Sequence, residues 1–154
     1  LQAGQAFTNS SVALVHGMAR PLGAQLHIPH GLANGLLLPY VMEFSLIAAP
    51  EDYADIARTM GVDDDEMSDR AAAEAAVEGV HDLCSDIDLA DYLDEYGTVP
   101  PREEYLDVVG KMAQDAIDSG SPDNNPRKPT QTEIEELFVR LYDDALAPDS
   151  PRRS

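Results

Sequence analysis

An all-α fold is predicted by three features of this 154-residue chain. Apolar residues recur at spacings of three and four along most of its length, which is the pattern of helices with one buried face. Helix-start signals recur as well: Pro50, Pro101, Ser68, and a Thr130–Glu133 pair with the spacing of a capping box. Alternation of apolar and polar residues is nowhere sustained, so no strand is expected.

The first two helices lie in an apolar, almost uncharged stretch, residues 6–44. We expect one helix over about residues 9–24, ended or kinked near Arg20 by Pro21. A second should begin at Pro29 and run to about Ile47. Glycine is costly inside helices, so four glycines within nineteen residues predict close helix approach: Gly17, Gly23, Gly31 and Gly35.

A third helix is expected from Pro50 to Gly61, and three longer helices should follow it. Their predicted core stripes are Ala73, Val77, Val80, Cys84 and Ile87; then Tyr105, Val108, Met112 and Ala116; then Ile134, Leu137, Phe138, Leu141 and Ala145. Residues 119–129, rich in Gly, Ser, Pro and Asn, should form an irregular loop. We assign residues 1–147 to one helical domain and 148–154 to a flexible tail.

The formal charge of −19, with only two lysines, is large for this length. Acids are spread over all the later helices, which is typical of adaptation to a salt-rich cytoplasm; an acidic face for a basic partner would favour clustering. Nucleic acid is excluded as a partner because its phosphates would be repelled. A single cysteine, Cys84, allows no intrachain disulfide and fits a reducing cytoplasm. Uninterrupted apolar runs are too short for a membrane span.

His16 and His30 are the candidate functional residues of the apolar stretch, because a region that excludes charge needs a reason to keep imidazoles. Neutral imidazole binds zinc or ferrous iron. At the start of the second helix, His30 would meet the positive end of the helix dipole, which favours its neutral form. Two buried structural histidines are the alternative that spacing alone leaves open.

The sequence motifs around these histidines resemble those of the C-terminal helical metal-binding domain of the iron-containing (group III) alcohol dehydrogenase family. They are His16-Gly17-Met18-Ala19, Pro21-Leu22-Gly23-Ala24, Ile28-Pro29-His30-Gly31, Asn34, Leu37-Leu38-Pro39 and, later, Asn125-Pro126-Arg127. The resemblance implies the dehydroquinate synthase-like fold. It also implies that an α/β nucleotide-binding domain, absent from this chain, precedes residue 1.

The resemblance implies an NAD(P)-dependent oxidoreductase in which Fe2+ or Zn2+ polarises an alcohol or carbonyl oxygen while hydride passes to or from nicotinamide. His16 and His30 would be two metal ligands, with an aspartate and a third histidine upstream of residue 1. NAD or NADP would be bound mainly by the missing domain. The isolated chain should then be inactive, and the full-length enzyme a homo-oligomer acting on a small alcohol or aldehyde.

Arg20 and Phe7 would lie beside the cofactor or substrate. Arg20 stands where many relatives have histidine, and it cannot be a metal ligand because guanidinium stays charged. It would grip a cofactor phosphate or a substrate carboxylate, or form a structural ion pair. Tyr40 also replaces a frequent histidine, as part of the pocket wall or as a surface exchange.

Two other functions remain open on the sequence. One is a metal-free helical oligomerisation or interaction domain, and the other is a hydroxyacid oxidoreductase of the same family.

Overall fold

The computed structural model describes residues 4–5, 11–64 and 66–147. Within 11–64 and 66–147 every regular element is a helix and no strand occurs, which confirms the all-α prediction. The α-helices are α1 Leu14–Leu26, α2 His30–Ser45, α3 Pro50–Met60, α4 Asp69–Asp86, α5 Tyr92–Tyr96, α6 Arg102–Asp118 and α7 Gln131–Leu141. Short 3-10 turns lie at Leu46–Ala48, Leu89–Asp91 and Ser121–Asn124, and a π-helical turn at Tyr142–Leu146 follows α7. The predicted tail, 148–154, lies outside the described residues.

Helix α1 continues through Pro21 to Leu26, so an end near Arg20, one of the two effects predicted for this proline, is wrong, while the predicted extent to about residue 24 is close to the observed end. Proline inside a helix costs about 3 kcal/mol through the lost hydrogen bond and the clash of its ring. Burial of one face offsets that cost: Leu14, Met18, Leu22 and Leu26, spaced by four, are each fully buried. The helix ends instead at His27, which adopts a left-handed conformation with φ 57°.

The main core lies between α1, α2, α6 and α7, and it contains the two helices that carry the candidate histidines. α1 packs on both α2 and α6, and α6 packs on α7. The predicted α7 stripe is buried throughout. On α6, Val109 takes the fully buried position that we had assigned to Val108, one residue earlier.

Helices α3 and α4 form a side layer that α4 joins to α2. A cluster of four buried alanines lies between them: Ala54, Ala57, Ala72 and Ala76. The predicted α4 stripe fails at its end, because Ile87 is half exposed and Cys84 only partly buried. The helix stops at Asp86 and the chain turns at Asp88, with φ 50°, so Ile87 no longer shares the core face, whereas Cys84 still packs against the cluster that contains Val77 and Val80.

The segment Leu89–Gly97 closes over the turn between α1 and α2, an arrangement that periodicity did not predict. The Thr98 amide donates to the Leu26 carbonyl at 2.9 Å. A Cβ on Gly97 would lie 2.2 Å from the Ile28 side chain and 3.1 Å from the Leu26 carbonyl. Glycine is therefore needed at this crossing, which fixes the turn that leads into His30.

A polar network joins the end of α2 to the start of α7. Asn125, almost fully buried, donates from Nδ2 to the Ser45 hydroxyl at 2.8 Å and to the Arg127 carbonyl at 2.7 Å. The Arg127 guanidinium lies 3.9 Å from the centre of the Phe44 ring and donates to Glu133 at 2.6 Å. Glu133 completes the predicted capping box with Thr130. The Asn-Pro-Arg motif thus has a structural role, because it connects the end of α2 to the start of α7.

One segment, His30–Ala48, is long and apolar enough to pass a membrane-span criterion of length and composition, although 56% of that window is buried inside the fold. We had expected apolar runs too short for a span. The burial is that of a core helix, since α2 packs on α1, α4 and α7.

Candidate functional site

The two candidate histidines meet. His16 Nδ1 lies 3.1 Å from His30 Nε2, and the ring centres are 5.3 Å apart. His16 is on the first turn of α1, half-buried, and His30 is the first residue of α2, exposed. The packing of α1 on α2 therefore brings together two imidazoles that are fourteen residues apart in sequence.

Two glycines set the positions of these histidines. A Cβ on Gly17 would lie 3.2 Å from Ser121 Cβ and 3.3 Å from Pro122 Cδ, so this glycine lets α1 approach the 3-10 turn closely. A Cβ on Gly23 would lie 3.2 Å from the Ile28 carbonyl, in the turn before α2. A Cβ on Gly35 would likewise lie 2.9 Å from Leu89, whereas a Cβ on Gly31 would meet no described atom within 4 Å, so the close approach predicted at Gly31 is not found among the described residues.

Electrostatics favour the neutral form of His16. Its pKa is lowered first by burial, which disfavours the charged imidazolium, and then by the positive charges of His30 and Arg20. A neutral imidazole has a lone pair available for a metal. The environment therefore suits a ligand.

The separation of the two nitrogens agrees with shared coordination of one ion. Ligand nitrogens about 2.0–2.1 Å from zinc lie roughly 3.3 Å apart at a tetrahedral angle, and about 2.9 Å apart at a right angle. The observed 3.1 Å falls between these values. Two imidazoles are also the donor type that zinc and iron share, so the residues present fit part of a site for either metal.

No third His, Cys or carboxylate joins this pair to form a cluster of three within the part of the chain that the structure describes. His27, three residues before His30, is exposed at the end of α1 and is not part of the pair. His81 is half-buried, and its ring packs edge-on against Tyr40 with centres 5.6 Å apart.

Arg20 is exposed, one helical turn beyond His16 on α1. It forms no ion pair with any carboxylate among the described residues, so the alternative of a structural ion pair finds no partner there. Phe7, the other residue placed beside cofactor or substrate, lies outside the described residues.

Tyr40 is neither beside the histidine pair nor on the surface. It is 1% exposed and lies ten residues after His30 on α2, roughly 15 Å along the helix axis. Its ring contacts His81 and lies 5.5 Å from the Arg140 guanidinium. The suggested surface exchange is therefore wrong, and the tyrosine belongs to the interface of α2 with α4 and α7.

Asn34 is a site residue whose role sequence reasoning did not identify. Its Nδ2 donates to the His30 carbonyl at 2.8 Å, while its buried Oδ1 has no hydrogen-bond partner among the described residues. The side chain thus ties the first turn of α2, which carries His30. The i, i+4 spacing of His30 and Asn34 was the available signal.

Comparison with known proteins agrees with this arrangement. The family model "Fe-containing alcohol dehydrogenase family, C-terminal" matches residues 1–142. The chain is 41% identical over 142 residues to a 1,3-propanediol dehydrogenase of Citrobacter freundii, covering 92% of this chain and 35% of that protein. It is 43% identical over 136 residues to a lactaldehyde reductase of Escherichia coli K12, covering 88% and 34%.

Solved structures give the same result. A 1,3-propanediol oxidoreductase superposes with a TM-score of 0.79 at 37% identity, covering 90% of this chain and 35% of that one. An alcohol dehydrogenase from Oenococcus oeni superposes with a TM-score of 0.78 at 37% identity, covering 91% and 35%. The chain spans about a third of the length of the relatives it matches. It belongs to the iron-containing alcohol dehydrogenase family, whose C-terminal helical region it matches.

Proposed function

We propose that this chain is the metal-binding helical part of an NAD(P)-dependent alcohol dehydrogenase, and that His16 and His30 are two of its metal ligands. The observation that carries the proposal is the 3.1 Å approach of His16 Nδ1 to His30 Nε2. Family membership supports the reaction class, because the relatives are named as alcohol or aldehyde oxidoreductases. When bound, a divalent ion supplies Lewis-acid polarisation of a hydroxyl or carbonyl oxygen.

The residues of this chain hold the two imidazoles in place and orient them. His16 and His30 present their nitrogens from two helices that pack on each other, so neither depends on a loop for its position. Asn34 fixes the first turn of α2 through the His30 carbonyl. Lowering of the His16 pKa keeps its imidazole neutral, as a ligand must be.

We infer that residues outside this chain supply the remaining ligands, an aspartate and a histidine, and bind NAD or NADP. Two histidines are fewer than the three or four protein ligands usual for zinc, and the chain spans only about a third of its relatives. We infer also that the full-length enzyme is a cytoplasmic homo-oligomer in a salt-rich cell.

Metal analysis and steady-state kinetics on the full-length protein test the proposal. His16→Ala and His30→Ala should each lose bound metal and turnover, because a missing ligand removes both the ion and several kcal/mol of transition-state stabilisation. His27→Asn is the matched control: it removes an adjacent imidazole, and asparagine tolerates the left-handed conformation found there.

Full metal and full activity in both ligand variants would show that the ligand pair is wrong. A full-length protein without metal and without oxidoreductase activity would favour the metal-free oligomerisation or interaction domain instead.

A further inference from the structure

Arg20 differs from the other cations that the structure describes. Eight of the ten lysines and arginines fall in the described ranges, since Arg152 and Arg153 lie beyond residue 147. Seven of those eight form an ion pair with Asp or Glu: Arg58, Arg70, Arg102, Lys111, Arg127, Lys128 and Arg140. Arg20 is the eighth and has no such pair with a described acid.

The composition makes this exception informative. With 29 acids against 10 lysines and arginines, a cation on this chain is surrounded by possible partners. Arg20 nevertheless lies in the apolar stretch, where the nearest acid in sequence is Glu43. An exposed guanidinium is therefore kept without a carboxylate of the described chain, one helical turn from His16.

Its position relative to the metal pair is set by the helix. Arg20 follows His16 by four residues, so the two side chains share a face of α1, with Cβ atoms about 5–6 Å apart. Guanidinium presents a planar fork of donors that matches a carboxylate bidentately.

We propose that Arg20 determines substrate specificity by binding the carboxylate of a short hydroxy acid, or of the corresponding oxo acid, whose reacting oxygen lies at the His16–His30 pair. The inference rests on the proposed function. The points where the two side chains leave the helix are about one turn, or 5.4 Å, apart, a separation that a three- to five-carbon chain with a polar group at each end spans. A carboxylate at one end and a hydroxyl at the other would thus meet Arg20 and the imidazoles together.

The reaction then balances as an ordinary two-electron oxidation. In the substrate the carbinol C–H and O–H bonds break and a C=O bond forms. The hydride goes to an oxidised nicotinamide dinucleotide and the proton to solvent. The carboxylate itself is unchanged, so Arg20 acts only in binding and orientation.

The test compares ω-hydroxy acids of three to five carbons with 1-alkanols of the same length, using the full-length enzyme. Wild type should have the lower KM for the hydroxy acid. Arg20→Ala should raise that KM roughly 10- to 100-fold, the range expected for lost hydrogen bonds to a charged group, and change the KM for the alkanol less than about twofold. Arg20→Lys should recover part of the loss. Arg70→Ala, which removes an exposed arginine paired with Glu74, is the matched control.

Calorimetric binding of propanoate, which does not react, gives a readout independent of turnover. Arg20→Ala should lose that binding. A variant that keeps it and instead binds NAD or NADP more weakly would place a cofactor phosphate at Arg20, and a variant that changes neither would indicate an ion pair with another part of the protein; either result overturns the inference. If wild type has no metal and oxidises no alcohol, the proposed function fails, whereas Arg20-dependent propanoate binding would still support the carboxylate site.

Discussion

Asn125→Ala tests whether the Asn-Pro-Arg word of this family is structural. The Asn125 amide joins the end of α2 to the loop before α7 through two hydrogen bonds, to Ser45 at 2.8 Å and to the Arg127 carbonyl at 2.7 Å. Ser45 is fully buried and Asn125 only 9% exposed. Truncation therefore leaves polar groups behind where water has little access.

The expected loss follows from those contacts. Two hydrogen bonds contribute about 0.5–1.5 kcal/mol each, and a buried group left unsatisfied costs about 1–3 kcal/mol. Ser45 keeps an interaction with the Tyr53 hydroxyl, and the Arg127 carbonyl belongs to a residue that is only half-buried. The free energy of unfolding should therefore fall by about 2–3 kcal/mol, near the middle of the range.

Urea unfolding of the 154-residue chain, followed by circular dichroism at constant high salt, measures this change. Asn124→Ala is the matched control, since its neighbouring amide makes one exposed hydrogen bond, to the Val12 carbonyl at 3.0 Å; it should cost about 0.5 kcal/mol. If the two variants differ by less than about 0.5 kcal/mol, the smallest contribution assigned to one hydrogen bond, the network is not the tie that we describe.

Two further predictions concern the chain alone. Thr130→Ala should cost about 1–2 kcal/mol in urea unfolding, more than Ser68→Ala, because Glu133 binds Thr130 and Arg127 together whereas Ser68 accepts only from the Ala71 amide; equal losses would contradict the coupling. The charge of −19 should make folding depend on salt, so far-ultraviolet circular dichroism should show helicity rising across a potassium chloride series. Helicity that stays constant down to millimolar salt would disprove it.

The helices could be predicted where one strong local signal agreed with the core. Pro50 and Gly61 bound α3 as expected, and the Thr130–Glu133 capping box starts α7. The continuation of α1 through Pro21 could not be predicted, because the cost of Pro21 is local whereas the burial that offsets it comes from α2 and α6. The segment Leu89–Gly97 was missed because its helices are too short to show a period.

The candidate site could be predicted as to its residues but not its geometry. The motifs that contain the histidines identified His16 and His30. The 3.1 Å distance between His16 Nδ1 and His30 Nε2 depends on how α1 packs on α2. Tyr40 was misjudged because burial on α2 is set by α4 and α7, which lie far away in sequence. The isolation of Arg20 could not be known either, since it required the positions of every described acid.

The family motifs in this chain fall into two groups, one that stabilises the fold and one that carries the proposed metal ligands. Asn125 and Arg127 are packed into the fold and hold α2 to α7. His16 lies on the first turn of α1, and His30 lies at the start of α2, the end opposite to the one that Asn125 contacts. Neither histidine is fully buried. Side chains that contribute little buried surface can be replaced at little cost in stability. Substituting either histidine should therefore lower the metal content of the full-length protein and leave the urea midpoint of the metal-free chain unchanged. Substituting Asn125 should lower the urea midpoint and leave the metal ligands in place.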